Sequence, residues 1–187
     1  MTIIEQAIKL ADFCGCEKNH YHRVTDLSLK LFDQLIGLHR LEPKERSLLE
    51  LSAVLHDIGW KKGQTRHHKT ARDMVLRSKM LKIPQRQKII VALLCRYHRK
   101  ALPKGSHKYY AKLKPPDKLI VEKLSALLRI ADGLDRSRTE LVKDFSCRIE
   151  KEKVILKADA YAHEDKATAQ EKSDLFEKIF KRRFIVE

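Results

Sequence analysis

Apolar residues recur every three or four positions along most of the first 140 residues, which is the spacing of one helix face. Pro43 and Gly59 bound one such stretch and are residue types common at helix starts and stops. A basic segment with three prolines, residues 99–116, is predicted to be a loop. The pattern predicts helices over residues 22–40, 43–59, 70–81, 84–98 and 117–138.

The pattern changes near residue 144, where apolar and polar residues begin to alternate. Two alternating runs around the polar residues 150–153 predict a β-hairpin. Residues 164–183 return to helical spacing, and residues 184–187 predict a short strand. We therefore predict a mainly α protein, with a helical domain over residues 1–140 and a small β-β-α-β appendage over residues 141–187. A lone hairpin is marginally stable, so the appendage should pack on the helical domain.

Composition points to a basic globular protein with one core. The 187 residues carry a formal charge of +15, which favours phosphate-rich partners such as nucleotides, polyphosphate or nucleic acid. No apolar run approaches the ~18 residues of a membrane span, and the N-terminus is too short and charged for a secretory signal. We therefore expect a cytoplasmic protein without a membrane partner. The four cysteines are expected to be reduced thiols, with a zinc site at Cys14 and Cys16 as the alternative.

Histidine and aspartate residues cluster at the predicted helix ends. In a helical bundle, several helix ends can converge on one pocket. A buried aspartate is costly without a positive partner, and imidazoles with carboxylates suit divalent metal ions. His20, His39, His107 and His163 are expected to be packed or capping residues, and Asp135 a helix-end residue. The candidate metal ligands are His22, His56, Asp57, His67, His68, His98 and Asp132.

The order His22, His56-Asp57, Asp132 resembles the HD superfamily of metal-dependent phosphohydrolases, which is named for the adjacent pair. The segments 22–35, 48–59, 67–81, 96–103 and 124–138, with the tail 171–180, are similar to the HD domain that ends the exopolyphosphatase / guanosine pentaphosphate phosphatase family. The resemblance implies an HD-domain helical bundle, and it implies that His98 with His67 or His68 completes a second metal position. Two features differ from that family. Thr70 stands where the family tends to have histidine, and the sequence contains no Gly-rich phosphate loop. The resemblance alone therefore does not assign the family's phosphatase activity to this chain.

The function predicted from these residues is metal-dependent hydrolysis of a nucleotide or another phosphorylated or polyphosphate-type substrate. One or two ions are expected, and Mn, Fe, Co, Ni, Zn and Mg are not distinguished. Asp57 is the expected bridging ligand and catalytic residue, with Lys61 and Lys62 as further catalytic candidates. The predicted phosphate-binding residues are Arg23, Lys61, Lys62, Arg96, Arg99, Lys100 and Arg136.

A different class of function is also compatible with the sequence. The chain could be a regulatory module that binds polyphosphate, a guanosine polyphosphate or RNA without cleaving it. The basic segment 99–116, with its two tyrosines, is the feature that favours this alternative. An exposed strand edge in the appendage would allow a homodimer.

Overall fold

A computed structural model describes residues 1–63 and 65–187 and confirms a mainly helical fold with a small C-terminal sheet. The α-helices in this part of the chain are α1 (Ile3–Phe13), α2 (Lys18–Gln34), α3 (Ile36–His39), α4 (Pro43–Leu55), α5 (His67–Arg77), α6 (Gln85–Tyr97), α7 (Lys108–Ala111), α8 (Pro115–Leu134), α9 (His163–Glu171) and α10 (Asp174–Phe180). The strands are β1 (Phe145–Ile149), β2 (Lys153–Ala158) and β3 (Arg183–Val186), and a 3₁₀ turn covers Ile58–Lys62.

Several boundaries differ from the predicted ones. Helix α2 begins at Lys18, and the predicted helix 22–40 is divided into α2 and α3. The predicted helix 164–183 is likewise divided into α9 and α10, because the chain turns at Lys172 and Ser173. The basic segment 99–116 contains the short helix α7.

Helix α4 illustrates how local sequence sets the position of functional residues. Pro43 occupies its first turn, and Glu42 and Glu45 form a reciprocal capping box there. The helix ends at Leu55, so His56 is its C-terminal cap. The predicted stop at Gly59 is therefore four residues too late.

Gly59 has a different role, which is to allow a close approach of α5. A Cβ atom at this position would lie 2.0 Å from the carbonyl oxygen of His67 and 2.7 Å from the amide nitrogen of Ala71. Only glycine fits where two backbones come this close. The 3₁₀ turn that follows His56 is thereby held against the start of α5.

Helices α2, α4, α6 and α8 form the centre of the bundle. Helix α2 packs on α4 and α8, and α6 packs on the same two helices. Their apolar stripes meet in one buried cluster that also includes Phe145, Phe176 and Phe184 from the C-terminal segment. The C-terminal segment therefore packs on the bundle as expected, whereas the boundary at residue 140 stays a prediction.

The three strands form one sheet in the order β1-β2-β3. Strands β1 and β2 are the predicted antiparallel hairpin, with Ile149 opposite Val154. Strand β3 pairs parallel to β2, with Val186 opposite Leu156. A parallel pair requires a crossover connection, which α9 and α10 supply. Both helices pack on α8 and so bring the C-terminal segment to the end of that helix.

No helix in the described ranges, 1–63 and 65–187, is long and apolar enough to cross a membrane.

Replacing Gly133 with alanine should destabilise the protein. A Cβ atom at Gly133 of α8 would lie 2.6 Å from the Cα atom of Ala169 in α9. Forcing the two helices apart should lower the free energy of unfolding by about 1–3 kcal/mol. Gly37→Ala is the control, because a Cβ atom at Gly37 would meet no atom within 4 Å. It should be neutral or stabilising by up to ~1 kcal/mol. Urea unfolding measures both, and equal stabilities of the two variants would contradict the close approach.

Candidate metal centre

Six imidazole and carboxylate side chains converge at one end of the bundle in two groups that could each hold a metal ion. Within each group, one ligand atom per residue lies within 4.8 Å of the others. All six side chains are buried except Asp57, which is partly buried. The first group is His20, His56 and Asp132, and the second is Asp57, His67 and His98.

Helix ends place all six of these residues, and His20 is the third residue of α2. His56 and His98 are the C-terminal caps of α4 and α6. Asp57 follows His56 directly, and His67 is the first residue of α5. Asp132 lies in the last turn of α8. The expected convergence of helix ends on one pocket is therefore what the fold builds.

Two imidazoles are oriented by the backbone of their own helices. His56 Nδ1 lies 2.7 Å from the carbonyl oxygen of Ala53, and His98 Nδ1 lies 2.8 Å from that of Cys95. A carbonyl oxygen only accepts, so both Nδ1 atoms donate a proton. In the neutral rings, each Nε2 atom therefore carries a lone pair, and both lone pairs are directed into the cluster.

His20 is oriented by a buried carboxylate. Its Nδ1 atom donates to Asp135 Oδ2 over 2.7 Å, and Asp135 is 2% exposed. Its Nε2 atom lies 3.3 Å from His56 Nε2 and 3.5 Å from Asp132 Oδ1. A second partner that fixes the ring and its tautomer is typical of metal-ligating histidines.

Asp57 lies between the two groups. Its Oδ1 atom is 3.5 Å from Nε2 of both His67 and His98, and its Oδ2 atom is 3.5 Å from His56 Nε2 and 3.8 Å from His20 Nε2. These separations exceed the ~2.7–3.2 Å of N–H···O hydrogen bonds. Two ligands that are each ~2.0–2.2 Å from one ion are separated by about this distance. One carboxylate oxygen thus faces each group, which is the arrangement of a bridging ligand.

Burial and charge set the protonation of these groups. Burial opposes the charged form of His20, but the carboxylates of Asp132 and Asp135 outweigh it and raise the pKa of His20 to about 9. Burial lowers the pKa of His98 to about 3. Burial would raise the pKa of Asp132, but Lys172 and His20 hold it well below its ordinary value. Negative carboxylates and at least one neutral imidazole therefore coexist in the cluster.

A basic rim surrounds the cluster. Arg99, Arg136, Arg138 and Lys172 line the pocket that opens on it. Arg138 Nη2 lies 3.9 Å from Asp57 Oδ2, and Lys172 Nζ donates to Asp132 Oδ2. Guanidinium groups can bind a phosphate with two parallel hydrogen bonds, so the rim is chemically suited to anionic phosphate.

The structure does not bring the expected ligand His22 to the cluster and places His20 there instead. His22 is exposed and lies against the ring of Tyr21 at 4.5 Å, whereas His20 occupies the expected position. Side chains two residues apart on a helix point about 200° apart around its axis, so only one of His20 and His22 can face the cluster.

Of the predicted second pair of ligands, His67 and not His68 belongs to the cluster. Burial and the charge of Arg96 lower the pKa of the half-buried His68 to about 4. The alternative zinc site is not among the groups found in the described residues, where Cys14 is buried and Cys16 half-buried as free thiols.

The predicted phosphate-binding residues are divided among several places. Arg99 and Arg136 line the pocket, and Lys100 lines an adjoining cavity of about 480 Å³. Lys61 donates to the carbonyl oxygen of Phe13 over 2.6 Å, and with Lys62 it lines a different cavity beside α1. Arg23 pairs with Glu140 at 3.7 Å.

Arg96 also lies outside the pocket, because it is separated from His98 by the same 200° turn. It lines another cavity, between α5 and α7.

Sequence reasoning missed five residues at the pocket. A signal for His20 is present, since it shares a helix face with Val24, Leu27 and Leu31. Trp60 and Asp135 each lie three residues after a predicted ligand, whereas Arg138 and Lys172 reach the pocket through packing that the tertiary fold sets. The residues are His20, Trp60, Asp135, Arg138 and Lys172.

Comparison with known proteins identifies the family. A search of curated proteins found no match. The sequence model of the family Ppx/GppA phosphatase, domain III, matches residues 5–178. This confirms the resemblance on which the expected helical bundle rested. Because the match covers well over half of the 187 residues, the chain belongs to the Ppx/GppA phosphatase family, as a copy of its domain III.

Proposed function

We propose that this chain is a metal-dependent phosphohydrolase that acts on a nucleotide or another phosphorylated or polyphosphate-type substrate. The observation that carries the proposal is the direction of the imidazole lone pairs. His56 and His98 donate from Nδ1 to backbone carbonyls, so in the neutral rings both Nε2 lone pairs face Asp57, whose carboxylate oxygens lie 3.5 Å away. Imidazole nitrogens and carboxylates that converge in one buried cluster favour a bound cation, because the carboxylates need a positive partner there.

The donor set fits one or two divalent ions. Nitrogen and carboxylate oxygen ligands together suit zinc, iron, manganese, cobalt and nickel, and they do not choose among them. His20, His56 and Asp132 would hold one ion, and His67 with His98 the other, with Asp57 between them. A divalent ion, when bound, supplies Lewis-acid chemistry that activates water and polarises a phosphoryl oxygen.

The residues of the rim would bind and orient the phosphate. Arg99 and Arg136 line the pocket without being placed among the candidate ligands, so their guanidinium groups are available to a phosphoryl group. Lys172 neutralises Asp132 on the side that faces the adjoining cavity. Trp60 stacks on His67 at 4.9 Å and lines the pocket beside the second group.

A second candidate function is a binding or regulatory module for polyphosphate or a guanosine polyphosphate. The family match favours it, because the matched unit is one numbered domain of a phosphatase family. The adjoining cavity also supports it, since Arg99, Lys100 and Arg136 line it, although Glu171 and Asp174 line it too and Asp174 pairs with Arg129 at 2.6 Å. RNA and a second copy of the chain, the other expected partners, have no supporting observation.

Asp57→Asn should remove metal and hydrolysis together. The variant keeps the side-chain size but loses the charge that faces both groups, so we expect metal content to fall by at least ~10-fold. Elemental analysis gives metal content, and phosphate release from tripolyphosphate and nucleoside triphosphates with Mn, Co, Ni, Fe, Zn or Mg gives activity. Asp26→Asn, at an exposed position of α2, is the control and should change neither.

The same experiment separates the two candidate functions. Phosphate release by the unmodified chain that disappears in Asp57→Asn supports the hydrolase. Substrates recovered intact with every metal, together with salt-sensitive binding, would instead assign the chain to the binding class. Unchanged metal content in Asp57→Asn would overturn the metal centre itself.

His20→Ala and His22→Ala should behave differently although the residues are two positions apart. His20 contacts the first group and Asp135, whereas His22 is exposed. We expect His20→Ala to lower metal affinity by about 10- to 100-fold, and His22→Ala to leave it within about twofold. Titration of the metal-free protein with Mn or Zn measures both. The reverse order of effects would restore His22 as the ligand.

A further inference from the structure

Another cavity with basic lining, called the Arg96 cavity below, lies on the side of the last turn of α6 that faces away from the metal pocket. Its volume is about 290 Å³, near the lower end of the ~300–1,000 Å³ typical of small-molecule sites. Helix α5, helix α6 and the segment around α7 each contribute to it. The residues that matter here are Lys69, Arg72, Arg96, Ser106, His107 and Lys108.

Arg96 is the unusual residue of this cavity. Arg96 is only 7% exposed. Its Nη1 atom is buried and has no hydrogen-bond partner among residues 1–63 and 65–187. The guanidinium lies 5.7 Å from the centroid of the Tyr97 ring, which is a weak contact for a charged group. A buried charged donor without an acceptor is costly, so this position favours an anion.

The cavity wall is positive and contains no carboxylate among its described lining residues. Asp73 pairs with Arg72 at 2.8 Å from outside the cavity and compensates only that one cation. Lys69 and Lys108 are exposed at the rim. Burial lowers the pKa of His107, and Arg96 and other cations lower it further, which reports the positive potential there.

The wall also offers neutral polar groups at hydrogen-bonding positions. Tyr97 Oη and His107 Nδ1 are 2.7 Å apart and so hold each other in place. The Ser106 hydroxyl lies at the cavity edge. Guanidinium, ammonium and hydroxyl donors around a small space are the chemistry that recognises a tetrahedral phosphate.

This cavity is distinct from the metal centre. The residues that line the two pockets do not overlap. Arg96 and His98 leave α6 about 200° apart, so they face opposite sides of the same helix end.

We propose that the Arg96 cavity is a second anion site, which binds a phosphate group either as a free phosphate ion or as the phosphoryl end of a larger molecule. The proposal does not depend on hydrolysis at the metal centre, because it rests on different residues.

The test is calorimetric titration of the metal-free full chain with orthophosphate, tripolyphosphate and a nucleoside monophosphate. The double variant Lys69→Gln/Lys108→Gln changes only exposed rim residues and should weaken binding by about 10-fold or more. Lys151→Gln/Lys157→Gln, at exposed positions of the β1-β2 hairpin away from this cavity, removes the same net charge and should change binding by less than about twofold. The tightest of the three probes identifies the source of the phosphate group.

Arg96→Met should abolish binding at this site while retaining the buried aliphatic stem. Circular dichroism establishes whether it folds, and the rim variant gives the answer if it does not. Absence of binding by all three probes to the metal-free chain would overturn the proposal. Equal losses in the rim variant and its charge-matched control would overturn it as well, since they would show attraction by net charge alone.

Discussion

The burial of Asp57 and Asp132 among imidazoles is the constraint on which the rest of this structure depends. Removing a carboxylate from water costs several kcal/mol unless an opposite charge compensates it. Asp132 meets Lys172 and His20, but Asp57 faces imidazoles at 3.5–3.8 Å and one guanidinium at 3.9 Å. His20, whose pKa is raised to about 9, supplies positive charge near both carboxylates. Under the proposed function, a divalent cation between the two groups would supply the further compensation that this end of the bundle needs.

The imidazoles of His56 and His98 are oriented by hydrogen bonds to backbone carbonyls at the ends of their own helices. The last carbonyls of an α-helix have no partner within the helix. In α4 and in α6, the capping histidine donates its Nδ1 proton to the carbonyl three residues earlier, at Ala53 and at Cys95. The same local bond thus satisfies an orphan carbonyl and directs Nε2 into the cluster. Close packing at Gly59 then brings His67 of α5 to the same place.

How far the sequence predicts this arrangement depends on how local each signal is. The pair His56-Asp57, His98 and Asp132 can be placed from apolar periodicity, because each follows or interrupts a clear stripe. The choice between His20 and His22 is open to the same argument. The prediction of His22 follows the family pattern, whereas the apolar stripe of α2 favours His20, which the structure places in the cluster. Lys172 has no such signal. It reaches Asp132 only because the predicted helix 164–183 breaks at Ser173 and α9 packs on α8.

The C-terminal end of α6 contributes side chains to both the metal pocket and the Arg96 cavity. Arg96 lines the Arg96 cavity, and His98 and Arg99 line the metal pocket. Helix geometry sends the side chains of Arg96 and His98 in opposite directions from this one helix end. Some of the basic residues behind the net charge of +15 therefore line two separate pockets at one helix end. Cations spread over a solvated surface would not form such pockets.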